Sequence, residues 1–437
     1  PDFIGTRYGG NLVRACSVFV LFIASFTYVT AQINATGTIA SRALGIPFEA
    51  GVWVGLISIL ICSMLGGMRA VTWTQVAQYI VLIVAYLIPV FWISSKVGGG
   101  VFPHLMLGDE VARLGELEQQ FGLVKNSAAD MKAAGVPGGL KYISGTHSGV
   151  PEGGMAVWKY LSLAICMMVG TASLPHILMR YFTTPSVRAA RKSVAWSLFF
   201  IFLLYSSAPM LATLSKLALM DPNLPTGIIG KSISEVQSIE WVQRWSEVKQ
   251  VFIADFNGDG ILQLNEWFMR GDVVVLATPE VAGLPFVISG LVFAGGMAAA
   301  MSTADGLVLA ISNALSHDIY YKIIDPKADT RKRLLVARVL LVIIGAAGAY
   351  IASFRLTSIL GSVAWAFDFA MSGLFFPLVL GVWWKRATRE GAIAGIVTGI
   401  LSGLFYLLWV YPKFSVPIFG GVNEPFLGID HLRFGLI

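Results

Sequence analysis

The chain is a succession of long apolar stretches joined by polar connections. An apolar stretch of about 20 residues is long enough to cross a bilayer as a helix, and about nine stretches come close to that length or exceed it. They predict membrane-spanning helices at Leu12 to Ala35, Ala50 to Leu65, Val76 to Ser94, Met155 to Leu174, Val194 to Leu214, Val281 to Ser316, Leu334 to Phe354, Thr357 to Trp383 and Gly391 to Tyr411. The sequence therefore predicts an all-α polytopic membrane protein.

The composition excludes a soluble globular protein. Hydrophobic residues make up 56% of the 437 residues and charged residues 13%, with a mean hydropathy of +0.73, whereas a typical soluble domain contains about 25% charged residues. The predicted helices leave no stretch for a soluble catalytic domain. The net charge of +6 does not indicate a nucleic-acid partner, because basic residues in membrane proteins mainly set the orientation in the bilayer.

The basic residues predict which connections face the cytoplasm. Lysine and arginine are concentrated in the connections 180–192, 331–333 and 385–389, and such connections usually lie on the cytoplasmic side. The two long connections, 97–154 and 221–280, contain more acidic than basic residues and alternate with the basic ones along the chain. We therefore expect residues 221–280 to form an extracytoplasmic loop.

One apolar segment carries a pair of hydroxyl side chains. In the stretch AAAMSTADG, Ala299 precedes Ser302 and Thr303 by three and four residues, a spacing that puts all three on one face of a helix. The Ala299 carbonyl and the two hydroxyls would then offer the oxygen ligands that a hard cation prefers. The competing interpretation is structural, because hydroxyls in membrane helices commonly bond to a carbonyl of the preceding turn or to a neighbouring helix.

Several motifs of the chain resemble those of the sodium:solute symporter family. They cover nearly the whole chain in the family's order: PDFIGTRYG, LGGMRAVTWTQVAQ, MRYFTTPSVRAARKS, AAAMSTADG with SHDIYYKII, and FFPLVLGVWWKRATREGAIAG. Within the family, LPHILMRYFT and STADGL are most similar to the branch of acetate and monocarboxylate permeases. The resemblance implies a multi-pass symporter in a bacterial-type inner (plasma) membrane. It would import a small organic solute, acetate or another short monocarboxylate, together with sodium by alternating access.

The resemblance also implies an architecture. Family members have the LeuT-type fold, with two inverted repeats of five helices and with substrate and ion sites near the middle of the bilayer. The chain would be a single transmembrane domain, 1–437, truncated at both ends and lacking the first two core helices. In the family the first helix supplies backbone carbonyls to the sodium site, so Ala299, Ser302 and Thr303 would be the half of the sodium site that this chain contains.

The fourth predicted span ends in a break. Its last residues, VGTASLPHILMR, put Gly170 and Pro175 around a short polar segment, and proline removes one backbone donor and disrupts the preceding turn. The freed backbone groups and hydroxyls would suit a small carboxylate, which binds well at the start of a half-helix. The candidates for the substrate path are Thr171, Ser173, Leu174 and His176. For His176 we favour a buried, neutral hydrogen-bonding role over a substrate or proton role.

Three more polar residues lie in or beside predicted spans. Asp305 follows Ser302 by three residues and would tune the cation site or pair with a basic residue, and Asp368 belongs to a helix that lines the substrate path in the family. Acids inside a membrane are costly and are therefore functional candidates, with structural pairing as the alternative. Gln75 departs from the family pattern, in which an aspartate often helps sodium to leave toward the cytoplasm. This departure leaves proton coupling open.

The second long connection contains a calcium-binding pattern. Residues 255–266 read DFNGDGILQLNE, which matches the twelve-residue EF-hand loop with its glycine at the sixth position. The predicted calcium ligands are Asp255, Asn257, Asp259, the Ile261 carbonyl and Glu266. The alternative is an ordinary solvated turn. Calcium would stabilise the loop rather than carry a signal, with a dissociation constant of about 10⁻⁴ to 10⁻³ M as in extracellular modules.

Other functional classes compete with transport. Some chains that resemble this family are input modules of signalling kinases, so a sensor is the main alternative. A membrane enzyme has no support, because the predicted spans contain no histidine cluster for a metal and no nucleophile–base pair. The oligomeric state is open, since the last span has small residues at every fourth position, which allow close contact inside the bundle or, as the less favoured reading, between copies. These residues are Gly391, Gly395, Gly399 and Gly403.

Overall fold

The protein is almost entirely α-helical in the computed structural model. The structure describes residues 1–98, 100, 102–121, 128–136, 141–142, 154–178, 180–181, 184–421 and 423–436, and for 65–70, 128–129, 141–142, 154–157 and 159 it describes the backbone alone. The helices are α1 (Asp2–Tyr8), α2 (Asn11–Leu44), α3 (Phe48–Val97), α4 (Pro103–Phe121), α5 (Ala128–Ala133), α6 (Gly154–Ser173), α7 (Pro175–Leu178), α8 (Val187–Met220), α9 (Ile233–Ser238), α10 (Glu240–Glu247), α11 (Val274–Val281), α12 (Phe286–Asn313), α13 (Thr330–Ser353), α14 (Ile359–Ala370), α15 (Phe376–Trp383), α16 (Arg389–Val410) and α17 (Pro412–Phe419).

Two helices continue into π-helical turns, and one small sheet lies outside the bundle. Ala314–Ile324 extends α12, and Met371–Phe375 joins α14 to α15. The sheet is antiparallel with the order β1–β3–β2, formed by Lys141–Tyr142 (β1), Val251–Ile253 (β2) and Trp267–Met269 (β3). The sheet therefore joins the two long connections to each other.

The membrane spans agree with the hydrophobic pattern. Among the described residues, seven helices are long and apolar enough to cross a membrane: Asn11–Leu44, Val71–Val97, Val187–Met220, Phe286–Ile324, Thr330–Ser353, Ile359–Trp383 and Arg389–Val410. Two shorter apolar segments, Phe48–Met64 and Tyr160–Ser173, coincide with the two remaining predicted spans. The prediction of an all-α, multi-pass membrane protein is confirmed.

Helix α3 contains two of these spans. Ser63 Oγ donates a hydrogen bond to Asp305 at 2.9 Å, and Gln75 Nε2 donates to the Ser302 carbonyl at 2.5 Å. In one straight helix, Ser63 and Gln75 would be about 18 Å apart, whereas Ser302 and Asp305 belong to one turn of α12. The two halves of α3 therefore lie against the same turn of α12 as two separate spans. Side chains from both halves contact this turn.

The two ends of the helix bundle differ in charge. Helix α4 packs with residues 221–281 at one end, in a core that includes Leu114, Leu217 and Trp245. The basic connections lie at the opposite end, where Arg7 of α1 donates to the Gly381 carbonyl at 2.7 Å. We call these the outer end and the basic end, and by the distribution of basic residues we expect the basic end to face the cytoplasm.

Ion pairs attach the long connections to the spans at the outer end. Lys216 of α8 pairs with Glu118 of α4, and both side chains are buried. Arg42 of α2 pairs with Glu280 at 2.8 Å, and the indole of Trp245 donates to the same carboxylate at 2.6 Å. Sequence reasoning treated these connections as loops. The structure shows that they are folded onto the helix ends, because their apolar residues complete a core with the spans.

Candidate functional site

The hydroxyl pair and the Ala299 carbonyl lie together on one face of α12. Ser302 Oγ donates to the Ala299 carbonyl at 2.9 Å, and Thr303 Oγ1 donates to the same oxygen at 3.4 Å. All three residues are half-buried. The structure thus brings the three predicted ligands into one oxygen cluster. It also contains the bond to the preceding turn that the structural interpretation expects.

An apolar cavity of about 300 Å³ lies beside this oxygen cluster. Residues of α3, α8, α11 and α12 line it, and on α12 the lining runs from Val292 through Gly295 to Ala299. Tyr86 and Tyr205 also contribute to the wall. We call it the outer cavity, since α11 lies at the outer end of the bundle. On α12 its wall ends at Ala299, which is one of the predicted cation ligands.

Gln75 and Arg180 lie next to the oxygen cluster on the side away from the outer cavity. Gln75 Nε2 donates to the Ser302 carbonyl at 2.5 Å, and Arg180 Nη1 donates to Gln75 Oε1. Gly306, one turn beyond Ser302, leaves room for the guanidinium, because a Cβ at this position would lie 3.0 Å from Arg180 Nη2. Sequence reasoning identified Gln75 but missed Arg180, which is 105 residues away in the chain.

Asp305 is buried between α12 and the first half of α3. Its exposed fraction is 0%, and its Oδ1 accepts the hydrogen bond from Ser63. Among the side chains that the structure describes, none is a hydrogen-bond partner for Oδ2, and none forms an ion pair with Asp305. Its influence on the cation site stays a prediction.

The fourth span is interrupted where the sequence predicts a break. Helix α6 ends at Ser173, α7 begins at Pro175, and Leu174 between them is fully buried. Thr171 Oγ1 donates to the Met167 carbonyl at 2.6 Å, and Ser173 Oγ donates to the Gly170 carbonyl at 3.0 Å. Both hydroxyls therefore bond to their own helix. Their predicted role in the substrate path is not tested by this arrangement and stays a prediction.

His176 lies just after this break, packed against α2. Its exposed fraction is 5%, and its ring meets the edge of the Tyr28 ring at a centroid distance of 5.6 Å. Within the described part of the chain, its Nδ1 has no hydrogen-bond partner. His176 is therefore buried, as the interpretation that we favour expects, but its hydrogen-bonding role stays a prediction.

Asp368 lies in a tight contact between α14 and α6. Its side chain is fully buried and accepts a hydrogen bond from Cys166. Gly435 packs directly on its backbone, because a Cβ on Gly435 would lie 2.9 Å from the Asp368 carbonyl oxygen. A role in the substrate path stays a prediction for this residue.

The EF-hand-like segment forms a compact turn at the outer end. Asp255 accepts from the backbone amides of Gly258 and Gly260 at 2.7 and 3.1 Å. Glu266 is fully buried, and its two carboxylate oxygens accept from the amides at the second and ninth loop positions at 2.8 and 3.0 Å. Gly260 has a φ of 72°, which glycine adopts without strain. The first and last predicted ligands therefore both point into the loop.

The other predicted calcium ligands are exposed. Asn257 Oδ1 accepts from the amide of Asp259, and Asp259 Oδ1 accepts from the amide of Ile261 at 3.1 and 2.8 Å. The bond from Ile261 lowers the pKa of the Asp259 carboxyl, which favours its charged form. Across the described ranges, no three histidine, cysteine, aspartate or glutamate side chains are close enough together to hold a metal ion. The turn is present without a closed carboxylate cage, and the calcium site stays a prediction.

A family model covers most of the chain. The model of the sodium:solute symporter family matches residues 1–232 and 273–399. Residues 233–272, which contain the EF-hand-like segment, lie between the two matched regions. The oxygen cluster, the Gln75–Arg180 contact and every span except the second half of Arg389–Val410 belong to the part that matches, whereas the predicted calcium loop does not.

Known proteins with similar sequences include three bacterial relatives. An uncharacterised symporter of Cupriavidus necator is 38% identical over 100% of this chain and 74% of its own length. A monocarboxylic acid transporter of Corynebacterium glutamicum is 25% identical, over 95% and 66%. The uncharacterised symporter YwcA of Bacillus subtilis is 24% identical, over 98% and 71%. The chain thus spans about two-thirds to three-quarters of the length of these relatives.

A solved structure has the same fold. It is the substrate-bound, outward-open state of a Na⁺-coupled sialic acid symporter, with a TM-score of 0.60 and 15% sequence identity. The match covers 100% of this chain and 73% of that one. Together with the family match and the relative at 38% identity, the observations lead to one conclusion. The chain belongs to the sodium:solute symporter family.

Proposed function

We propose that the protein imports a small organic solute, a short monocarboxylate such as acetate, by symport with sodium. The observation that carries the proposal is the oxygen cluster of Ala299, Ser302 and Thr303 at the inner limit of the outer cavity. The name of the Corynebacterium glutamicum relative, a monocarboxylic acid transporter, supports the solute class.

The chemistry of the oxygen cluster favours sodium over a proton. A carbonyl and two hydroxyls are neutral donors of lone pairs, and none of them takes up a proton near neutral pH. Ser302 and Thr303 can bind a cation through the lone pairs of their hydroxyl oxygens while each hydroxyl donates its hydrogen to the Ala299 carbonyl, because a hydroxyl has one donor and two acceptor positions.

The position of the outer cavity suggests how ion and solute are coupled. Small-molecule sites are typically apolar cavities of at least about 300 Å³ with few polar groups, and the outer cavity is of this kind. A solute in it would have its alkyl part against the apolar wall and its carboxylate toward Ala299. A sodium ion at the oxygen cluster would then neutralise the carboxylate, so that each ligand lowers the cost of burying the charge of the other.

The function is tested by uptake of radiolabelled acetate into proteoliposomes that contain the full-length protein. With an inward sodium gradient we expect accumulation above a potassium control. Radiolabelled acetamide, which has the same shape without the charge, serves as the matched solute and should not accumulate. A pH gradient without sodium separates proton coupling from sodium coupling, once the passive entry of undissociated acetic acid into protein-free liposomes has been subtracted. If acetate, propionate and lactate fail to accumulate under either gradient, the transport proposal is wrong and the sensor alternative is favoured.

We further propose that residues 255–266 bind calcium outside the membrane. The specific observation is the fit of the turn to the EF-hand order, with Asp255 and Glu266 pointing into the loop and Asp259 exposed at the fifth position. Calcium would replace the amide hydrogens as partner of several carboxylate oxygens at once. Its binding energy would then stabilise this segment against unfolding.

Calcium should raise the thermal unfolding temperature of the purified protein in the millimolar range and change its tryptophan fluorescence. Trp267 is suited as a reporter, because it follows Glu266 directly and is fully buried. Asp259→Asn should weaken calcium binding about tenfold through loss of one charged ligand, whereas Glu247→Gln, at an exposed acid of the same connection outside residues 255–266, should not. The absence of a response to about 10 mM calcium, or an equal response to magnesium, would contradict the proposal.

A further inference from the structure

Two separate cavities lie along one face of α12. The outer cavity ends on α12 at Ala299. A second cavity of about 440 Å³ lies at the basic end, where Ala310 and Asn313 contribute to its wall. Helical spacing puts Ala299, Ser302, Gly306, Ala310 and Asn313 on one face. We call the second cavity the inner cavity, and the turn around Gly306 separates it from the outer one.

The Gln75–Arg180 pair covers this separating turn. Gln75 is 9% exposed and bonds at the same time to the Ser302 carbonyl and to Arg180. The guanidinium lies over Gly306, where a Cβ would approach its Nη2 to 3.0 Å and Gln75 Nε2 to 3.8 Å. The absence of a side chain at position 306 is what allows a charged group to approach α12 this closely.

We propose that Gln75 and Arg180 form the barrier between the oxygen cluster and the inner cavity, and that Arg180 must withdraw from Gly306 before the cation passes to the cytoplasmic side. The inference rests on the sodium transport proposed above. A guanidinium beside the path repels a cation that moves inward from Ser302. Gln75 binds the guanidinium through an uncharged amide, and such a bond is weaker than the ion pair that a glutamate at position 75 would form.

The barrier is tested by reaction of a cysteine on its outer side with a reagent from the cytoplasmic side. Leu82 lies in the wall of the outer cavity, two turns of α3 beyond Gln75. In inside-out vesicles, a membrane-impermeant methanethiosulfonate reagent is applied to Leu82→Cys. Modification of the peptide that carries residue 82 is followed by mass spectrometry, so the native cysteines need not be removed. We expect Arg180→Gln to accelerate this modification about tenfold and Gln75→Glu to slow it about tenfold.

Two controls separate the barrier from other effects. Ala310→Cys, in the wall of the inner cavity, should react at the same rate in all variants. Gln243→Glu makes the same chemical change at an exposed position of α10, at the outer end, and should leave the rate at Leu82→Cys unchanged. Equal rates at Leu82→Cys, within about twofold, in wild type, Arg180→Gln and Gln75→Glu would overturn the proposal. The labelling needs no transport, so its result is independent of whether acetate uptake is observed.

Discussion

Replacing Ser302 and Thr303 together by alanine should abolish sodium-dependent uptake and leave the protein folded. Both hydroxyls donate to the Ala299 carbonyl, so their removal leaves no buried donor unpaired and the helix keeps its backbone bonds. Each hydroxyl that binds a cation contributes about 1.5–3 kcal/mol, as hydrogen bonds to charged groups do. The loss of two therefore lowers the sodium affinity about 100-fold or more.

The measurement is the sodium dependence of solute uptake at several sodium concentrations, together with the amount of protein in the membrane. Ser312→Ala is the matched control, because this buried hydroxyl of the same helix also donates to a carbonyl of its own turn, that of Leu309, at 3.2 Å. It should leave sodium activation unchanged. A double variant of Ser302 and Thr303 that retains wild-type sodium activation would show that the oxygen cluster is structural, with no sodium ligand among its hydroxyls.

Gly399→Ala should prevent correct folding, whereas Gly395→Ala, one turn earlier in α16, should be tolerated. A Cβ at position 399 would lie 1.9 Å from the Ser372 carbonyl oxygen, and a Cβ at position 395 would meet no atom within 4 Å. The obstacle at 399 is backbone, in the π-helical turn between α14 and α15, so no side-chain rotation relieves it. By analogy with overpacked cores, Gly399→Ala should lower the free energy of unfolding by about 3 kcal/mol or more. At position 395, alanine has a higher helix propensity than glycine.

This pair of variants is compared by the yield of monodisperse protein in detergent and by the thermal unfolding temperature. Both substitutions add one methyl group to the same helix, so the difference between them reports the contact with Ser372 alone. Equal yield and equal stability of the two variants would contradict the packing of α16 against this turn. The comparison also refines the glycine pattern read from the sequence: Gly399 and Gly403 face close neighbours within the described bundle, whereas Gly395 faces open space.

Local patterns predicted much of the fold and the oxygen cluster of the candidate ion site. The apolar stretches predicted the spans because the bilayer requires about 20 apolar residues of any helix that crosses it. The spacing of Ala299, Ser302 and Thr303 predicted one oxygen cluster because neighbours at three and four residues share a helix face whatever the rest of the chain does. Pro175 predicted the break at Leu174 for the same kind of local reason, the lack of a backbone N–H.

Tertiary packing decided what lies next to those local features. The contact of Gln75 with Arg180 joins residues 105 positions apart, and the contact of Cys166 with Asp368 joins residues 202 positions apart. No periodicity in the sequence relates such pairs, since their approach depends on how α3, α6, α12 and α14 pack. The folding of the long connections onto the outer end also depends on tertiary packing. Their apolar residues form a core only together with the ends of the spans, such as those of α2 and α8.

The sequence by itself determined the class of this protein, its spans, the oxygen cluster on α12 and the family to which it belongs. The class, the spans and the oxygen cluster follow from interactions within one helix or from the demands of the bilayer on each helix separately, and the family follows from the motifs and their order along the chain. The tertiary structure alone decided that the cluster adjoins an apolar cavity on one side and the Gln75–Arg180 contact on the other. The distances between side chains of different helices, and the electrostatic interactions that depend on them, are set only when the bundle is assembled. The surroundings of the site could therefore not be deduced from the order of the residues.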